Sequence, residues 1–116
     1  MTYVDGMVLA VPTANKQSYL DLAKKFASVF QDHGALHVME LWGDEIPGGD
    51  VTSFPMAVKC EPNETVVFSH IVWPSKAVRD AGMQKSMEDP RLQDVEMPFD
   101  GKRMIMGGFE TILDVS

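Results

Sequence analysis

The sequence predicts an α+β protein with an antiparallel-rich sheet and two helices on one face of that sheet. Two observations predict this class. Two segments have the three- and four-residue spacing of apolar residues that is typical of helices, and the other apolar segments are short and bounded by turn residues, as strands are. The chain has 116 residues, the usual size of one domain, so we expect residues 1–116 to form a single domain.

The first half of the chain predicts a strand, a helix and a second strand. Residues 3–11 are rich in apolar and β-branched side chains and are followed by a proline, which favours a strand. From Lys16 onward apolar residues fall on one helical face, with Asn15 placed to cap the helix and Gly34 placed to end it. Residues 35–43 predict the second strand.

The second half predicts one helix and three more strands, after a loop at residues 44–53 that is rich in Pro, Gly and Asp. The predicted strands are residues 54–60, 65–73 and 102–113. Residues 61–64 would join the first two as a hairpin. Ser75 is placed to cap a helix that runs to about Asp89, because Pro90 disfavours a helical residue before it.

The later strands carry apolar residues on both faces, whereas a sheet with one solvated face should alternate apolar and polar residues. Within residues 65–73, one face carries Val66, Phe68 and Val72, and the other face carries Val67, Ile71 and Trp73. Two helices can cover only one face of the sheet in a chain of this length. We therefore expect a second copy to cover the other face in an isologous homodimer. The order β-α-β-β-β-α-β predicts a ferredoxin-like subunit.

Two adjacent glycines, Gly107 and Gly108, interrupt the last predicted strand. Each glycine inside a strand should cost ~0.5–1 kcal/mol relative to alanine, so the pair needs a structural reason. The sequence allows two reasons: a bulge that curves the sheet, or the close approach of another backbone or a ligand.

The composition is acidic, with 10 Lys and Arg against 17 Asp and Glu and a net charge of −7. Phosphate groups repel such a chain, so we expect neither nucleic acid nor an anionic membrane as a partner.

The single cysteine, Cys60, excludes an intrachain disulfide and suits a reducing compartment. Residues 1–12 lack the pattern of a signal peptide, and no apolar run reaches the ~20 residues of a membrane span. We expect a soluble, cytoplasmic protein.

Four segments carry a family resemblance. They read YVDGMVLAVP, ALHVMELWGDEIPGG, TVVFSHIVWPSKAVRDA and MPFDGKRMIMGGFETI. Together they resemble the YbaA-like family of uncharacterised bacterial proteins. The resemblance implies a dimeric α+β barrel, in which two ferredoxin-like subunits pack sheet against sheet. It implies no established activity and no catalytic residue.

Polar residues within the apolar strands are the candidates for a pocket. A carboxylate that faces a dry interior must be paired, protonated or functional. With nearby aromatic, methionine and arginine side chains, the candidates are Asp5, His37, Glu40, Trp42, His70, Arg79, Arg103, Met106 and Glu110. The structural alternative is that these groups are hydrated or paired, as Arg103 would be with an acid. The nine methionines likewise suit either a pocket for a flat apolar ligand or simple core filling.

The motifs of phosphate-binding loops, dinucleotide-binding folds and nucleophile elbows are missing from the sequence. His33 and His37 have the spacing of a zinc pair, but Gly34 should end the helix between them, so we expect no metal and no cofactor. We expect a small organic molecule bound in a barrel pocket. One alternative is a cofactor-free oxygenase or isomerase with Asp5, His37, His70 or Glu110 as general base. Another is a non-catalytic dimer that acts by protein contact.

Overall fold

The computed structural model describes all residues from Met1 to Ser116, and it shows an α+β fold with one four-stranded sheet. The strands are β1 (Tyr3–Pro12), β2 (His37–Trp42), β3 (Glu64–Trp73) and β4 (Ile105–Glu110). The α-helices are α1 (Lys16–Asp32), α2 (Phe54–Ala57) and α3 (Lys76–Glu88). The strand order is β2-β3-β1-β4, and every neighbouring pair is antiparallel. None of the helices combines the length and the hydrophobicity that a membrane span requires.

The sheet has a covered face, which packs against α1 and α3, and an open face, which these helices do not contact. On the covered face Leu9 and Val67 pack with Tyr19 of α1, and Trp73 packs with Phe30 and Val78. Because side chains alternate along a strand, the neighbouring residues point the other way. The open face consists of Val4, Gly6, Val8, Ala10, Pro12, His37, Met39, Leu41, Glu64, Val66, Phe68, His70, Val72, Ile105, Gly107 and Phe109.

Helix α1 ends as the sequence predicts but begins differently. Gly34 adopts a φ of 114°, the left-handed conformation expected just after the helix. Asn15 occupies the N-cap position, yet its side chain accepts no capping hydrogen bond. Instead Asn15 Nδ2 donates to the carbonyl of Pro98 at 3.0 Å. The amide therefore ties the start of α1 to the segment that precedes β4.

The predicted strand at residues 54–60 is wrong: this segment contains the one-turn helix α2. Ser53 Oγ accepts a hydrogen bond from the Met56 N–H at 3.1 Å, and Pro55 lies in the first turn, where its missing N–H costs nothing. The expected hairpin therefore does not form. After α2 the chain turns through Lys59, which has a φ of 50°. Val58 packs with Ala10 and Val66, so this segment covers one end of the open face.

Helix α3 agrees with the prediction at both ends. Ser75 Oγ accepts a hydrogen bond from the Val78 N–H at 3.2 Å, and the extended Asp89 follows the last helical residue. Gly82 lets the helix lie directly on the sheet, since a Cβ there would meet the Trp73 ring and the His33 carbonyl. Trp73 is 0% exposed, so this contact seals the covered face at α3.

The glycine pair lies in β4, which is shorter than the predicted strand because residues 101–103 form a 3₁₀ turn. The register of β1 with β4 is continuous, so the bulge interpretation is wrong. A Cβ at Gly108 would overlap the Tyr3 hydroxyl and lie 2.8 Å from Arg79 Nη2. Gly108 is therefore required by the close approach of two side chains from the same chain.

Candidate functional site

A cavity of about 480 Å³ lies between the covered face and the helices. Its walls come from all four strands, from α1 and α3, and from the segment at residues 97–104, and most of the lining side chains are hydrophobic. A concave, mainly apolar cavity with few polar groups is the usual form of a small-molecule site. A smaller recess of about 180 Å³ lies at the other end of β2, between Trp42 and Phe68.

Methionines form much of the cavity wall. Six of the nine in the chain line it: Met7, Met83, Met87, Met97, Met104 and Met106. Met87 and Met106 are 50% and 67% exposed, so the cavity opens to solvent beside them. Methionine is unbranched and polarisable, and it adapts to ligands of irregular shape. The structure thus places Met106 and most of the other methionines on a cavity wall rather than in a filled core.

One polar group in the cavity wall is the buried carboxylate of Asp5. Trp73 Nε1 donates to Asp5 Oδ2 at 2.9 Å, and Arg79 Nη2 donates to Asp5 Oδ1 at 2.8 Å. Arg79 also donates from Nη1 to Asp80 at 2.9 Å, and its guanidinium lies 5.0 Å from the centre of the Tyr3 ring. These two acids raise the pKa of Arg79 above its usual range, so the arginine stays charged. Asp5 and Arg79 neutralise each other and hold the sheet to α3.

The second polar group is a pair formed by Glu40 of β2 and Tyr19 of α1. The Tyr19 hydroxyl donates to Glu40 Oε1 at 2.6 Å. Burial is the main cause that raises the pKa of both groups, and the nearby Glu40 charge raises that of Tyr19 further. Tyr19 therefore remains a protonated donor. Glu40 has no cation within salt-bridge distance, and its Oε2 atom accepts no hydrogen bond from the protein.

The sequence predicts Glu40 as a pocket candidate but assigns Tyr19 no role in a site. The helical spacing is enough to show that Tyr19 is buried. It does not show which polar group meets the hydroxyl, because Glu40 is 21 residues away and on a different element. A buried tyrosine usually finds a hydrogen-bond partner, and that expectation was the only signal available.

Arg103 and Trp42 lie outside the large cavity. Arg103 donates from Nη1 and Nη2 to the two carboxylate oxygens of Glu64, both at 2.7 Å, and from Nε to Asp100 at 3.0 Å. The bidentate contact lowers the pKa of the Glu64 carboxyl, and Arg103 also lowers that of Asp100. Trp42 packs against the core with Lys16 Nζ 5.2 Å from its ring centre. Both side chains have clear structural roles.

The two histidine candidates lie on the open face. Their rings are 6.2 Å apart, and the His70 ring is 6.0 Å from that of Phe68. His70 Nε2 is buried and has no hydrogen-bond partner within the chain. Glu110 is exposed near the end of β4, opposite Tyr3, and does not line the cavity. No group of three or more His, Cys, Asp or Glu side chains has an arrangement that suits a metal ion.

This α+β chain belongs to a family of proteins whose function is not established. The family described as "Protein of unknown function (DUF1428)" matches residues 2–101. Relatives called "Uncharacterized protein YbaA" occur in Escherichia coli strain K12, in Escherichia coli O157:H7 and in Shigella flexneri. Each is 56% identical over 116 residues, which cover 98% of this chain and 99% of the relative. These matches confirm the YbaA-like resemblance of the four segments.

Proposed function

We propose that the protein is a homodimer in which each subunit binds a small, largely apolar organic molecule. The observation that carries the binding proposal is the cavity of about 480 Å³, which falls in the usual size range of ligand pockets. The cavity lies on the helix side of the sheet, so the ligand would sit there and not between the sheets of two subunits, where a barrel pocket was expected. The six methionines supply an adaptable wall for it.

The dimer proposal is supported by the apolar open face. Phe68, Phe109 and Ile105 are 40%, 60% and 46% exposed on it, and soluble monomers rarely expose a large contiguous apolar patch. The one charged residue in the register of this face is Glu64 at the end of β3, and Arg103 neutralises its carboxylate with two hydrogen bonds. A second copy with the same net charge of −7 therefore meets no unpaired like charge there.

The strand order supports the same assembly. The order β2-β3-β1-β4, with α1 and α3 as the crossing helices, fits a ferredoxin-like subunit. Two such subunits related by a two-fold axis would pack open face to open face as a dimeric α+β barrel. In that arrangement the cavities lie on the outer sides of the two sheets, and each remains accessible beside Met87 and Met106.

Native mass spectrometry on protein purified gently from its own host tests both parts. We expect a dimer that carries a small organic adduct. Ala23 lines the cavity, so Ala23→Phe should fill part of it and release the adduct while the dimer persists. Ala81→Phe is the matched control, because Ala81 is an exposed helix residue outside the cavity. A dimer with no adduct that also binds no apolar probe would favour the non-catalytic interaction dimer.

A cofactor-free isomerase is the second candidate, and the Glu40 carboxylate favours it. A carboxylate with a raised pKa and one free oxygen in an apolar cavity has the properties of a general base for a carbon acid. His37, His70 and Glu110 lie outside the cavity, and Asp5 is engaged by Arg79 and Trp73. As a test, NMR would measure the rate of deuterium exchange at the acidic carbon of 2-tetralone. Exchange that the protein accelerates and that Glu40→Gln abolishes would support catalysis.

We also propose a cytoplasmic location. The support is the single cysteine, Cys60, which has no disulfide partner in the chain and is only partly exposed. Fractionation of host cells would check this, and recovery in a secreted fraction would contradict it.

A further inference from the structure

Two carboxylates line the cavity, and the protein uses them in different ways. Asp5 receives hydrogen bonds from Trp73 and from two nitrogens of Arg79. Glu40 receives one, from Tyr19, and only at Oε1. Glu40 Oε2 is therefore the carboxylate oxygen in the cavity that has no partner in the protein.

The cavity offers no free cation to a ligand. Its lining residues include no lysine and no histidine. Arg79 is the one basic residue among them, and each nitrogen of its guanidinium already donates to Asp5 or Asp80. An anionic ligand would bring a second negative charge near Glu40 without a counter-ion, in surroundings that screen charges poorly.

The supply of acceptors also argues against a protonated amine. An ammonium group has three N–H donors, whereas Glu40 Oε2 is the one carboxylate oxygen in the cavity without a partner, and the Ser69 hydroxyl beside it in the β2–β3 register is engaged with Tyr19. At least one donor would stay unsatisfied among apolar side chains, which is costly. A hydroxyl group has a single donor and matches the single free carboxylate oxygen.

We infer that Glu40 Oε2 is the polar anchor of the cavity and that it selects neutral alcohols or phenols with an otherwise apolar body. Tyr19 fixes the carboxylate by holding Oε1, so that Oε2 points to the ligand hydroxyl. The inference rests on the proposed function, since it assumes that the cavity binds a small molecule.

Four probes that differ in one substituent test this ligand class: 2-naphthol, naphthalene, 2-naphthoate and 2-(aminomethyl)naphthalene. We expect 2-naphthol to bind at least about tenfold more tightly than the other three in calorimetric titrations at neutral pH, because a hydrogen bond to a charged acceptor is worth that much.

Two variants locate the effect at Glu40. Glu40→Leu should make the affinities for 2-naphthol and naphthalene equal, and Glu40→Gln should weaken 2-naphthol binding by several-fold while improving 2-naphthoate binding. Glu110→Leu and Glu110→Gln are the matched controls, because Glu110 is exposed and outside the cavity, and they should leave all four affinities unchanged. Circular dichroism of each variant verifies the fold.

The outcomes separate this inference from the proposed function. Binding of the four probes with similar affinity, or tightest binding of the acid or the amine, would overturn the hydroxyl selectivity and leave the binding cavity in place. Equal loss of 2-naphthol binding in the Glu40 and Glu110 variants would overturn the role of Glu40. If none of the probes binds, both the inference and the proposed binding function are wrong.

Discussion

At the scale of single residues, Glu40 combines a cost to folding with a proposed use in binding. Its carboxylate is partly buried, has no cation partner and has a pKa raised by burial. A group whose pKa is raised on folding stabilises the folded state at low pH, and this stabilisation is lost as the pH rises through the raised value. At neutral pH, where Glu40 is ionised in the unfolded chain, its raised pKa should therefore reduce the free energy of unfolding.

The first prediction concerns Glu40→Gln, which keeps an oxygen that accepts from Tyr19 and removes the charge. At neutral pH we expect the free energy of unfolding to rise by ~1 kcal/mol, the common size of a single-residue effect. At a pH below the ordinary glutamate value of 4.5, the difference should disappear because Glu40 is then protonated in both folded and unfolded states. Urea unfolding at the two pH values measures this. A variant that is less stable at neutral pH would contradict it, and Glu110→Gln should show no effect.

The second prediction concerns the glycine pair. Gly108→Ala should lower the free energy of unfolding by ~1–3 kcal/mol, because the new Cβ must displace Tyr3 and an Arg79 side chain that Asp5 holds in place. The control is Gly101→Ala, since nothing lies within 4 Å of a Cβ at Gly101. Chemical denaturation compares the two variants. Equal stabilities would show that the approach of Tyr3 does not require glycine.

At the scale of elements, the local signals that worked were caps and stops. The end of α1 and both ends of α3 could be predicted from Gly34, Ser75 and Pro90, because each of these residues acts on backbone groups within a few residues. The strand prediction for residues 54–60 was wrong because the apolar residues there suit a strand and a helix equally. The Ser53 cap and Pro55 in the first turn stabilise the helix. The short range of these signals also limits what the sequence predicts about the site. The sequence could nominate Asp5 and Glu40, but not their partners Trp73 and Tyr19, which are 68 and 21 residues away.

The third prediction tests the cap of α2. Ser53→Ala should lower the free energy of unfolding by ~1 kcal/mol, since it removes the acceptor for the Met56 N–H and loosens the turn that carries Val58 into the core. Ser28→Ala is the control, because Ser28 is exposed inside α1, where alanine favours the helix. Denaturation curves that coincide for wild type and Ser53→Ala would contradict the capping role.

At the scale of the whole molecule, the acidic charge and the apolar open face have complementary effects. The net charge of −7 should keep most surfaces of two copies apart, and the open face, on which Arg103 neutralises Glu64, leaves one surface for the proposed dimer. Sequence alone indicated this surface through strands that are apolar on both faces. It could not show that the large cavity lies on the opposite side of the sheet, because that depends on how α1, α3 and residues 97–104 pack.

The fourth prediction tests the dimer. Phe109→Glu places a charge on the open face and should convert a dimer to a monomer at micromolar concentration in sedimentation velocity. Leu20→Glu is the matched control, since Leu20 is 41% exposed on α1, away from the open face, and the dimer should persist. Wild-type protein that sediments as a monomer, or a Phe109→Glu variant that remains a dimer, would contradict the proposed interface.

The most direct test of the binding cavity is a methionine-methyl NMR titration with 2-naphthol. Six of the nine methionines line the cavity, while Met1, Met39 and Met56 lie elsewhere and serve as internal controls. We predict saturable shifts of the six cavity methyl signals and none at the three controls. Saturable shifts confined to Met39 or Met56, or an unchanged spectrum, would contradict the cavity as the binding site.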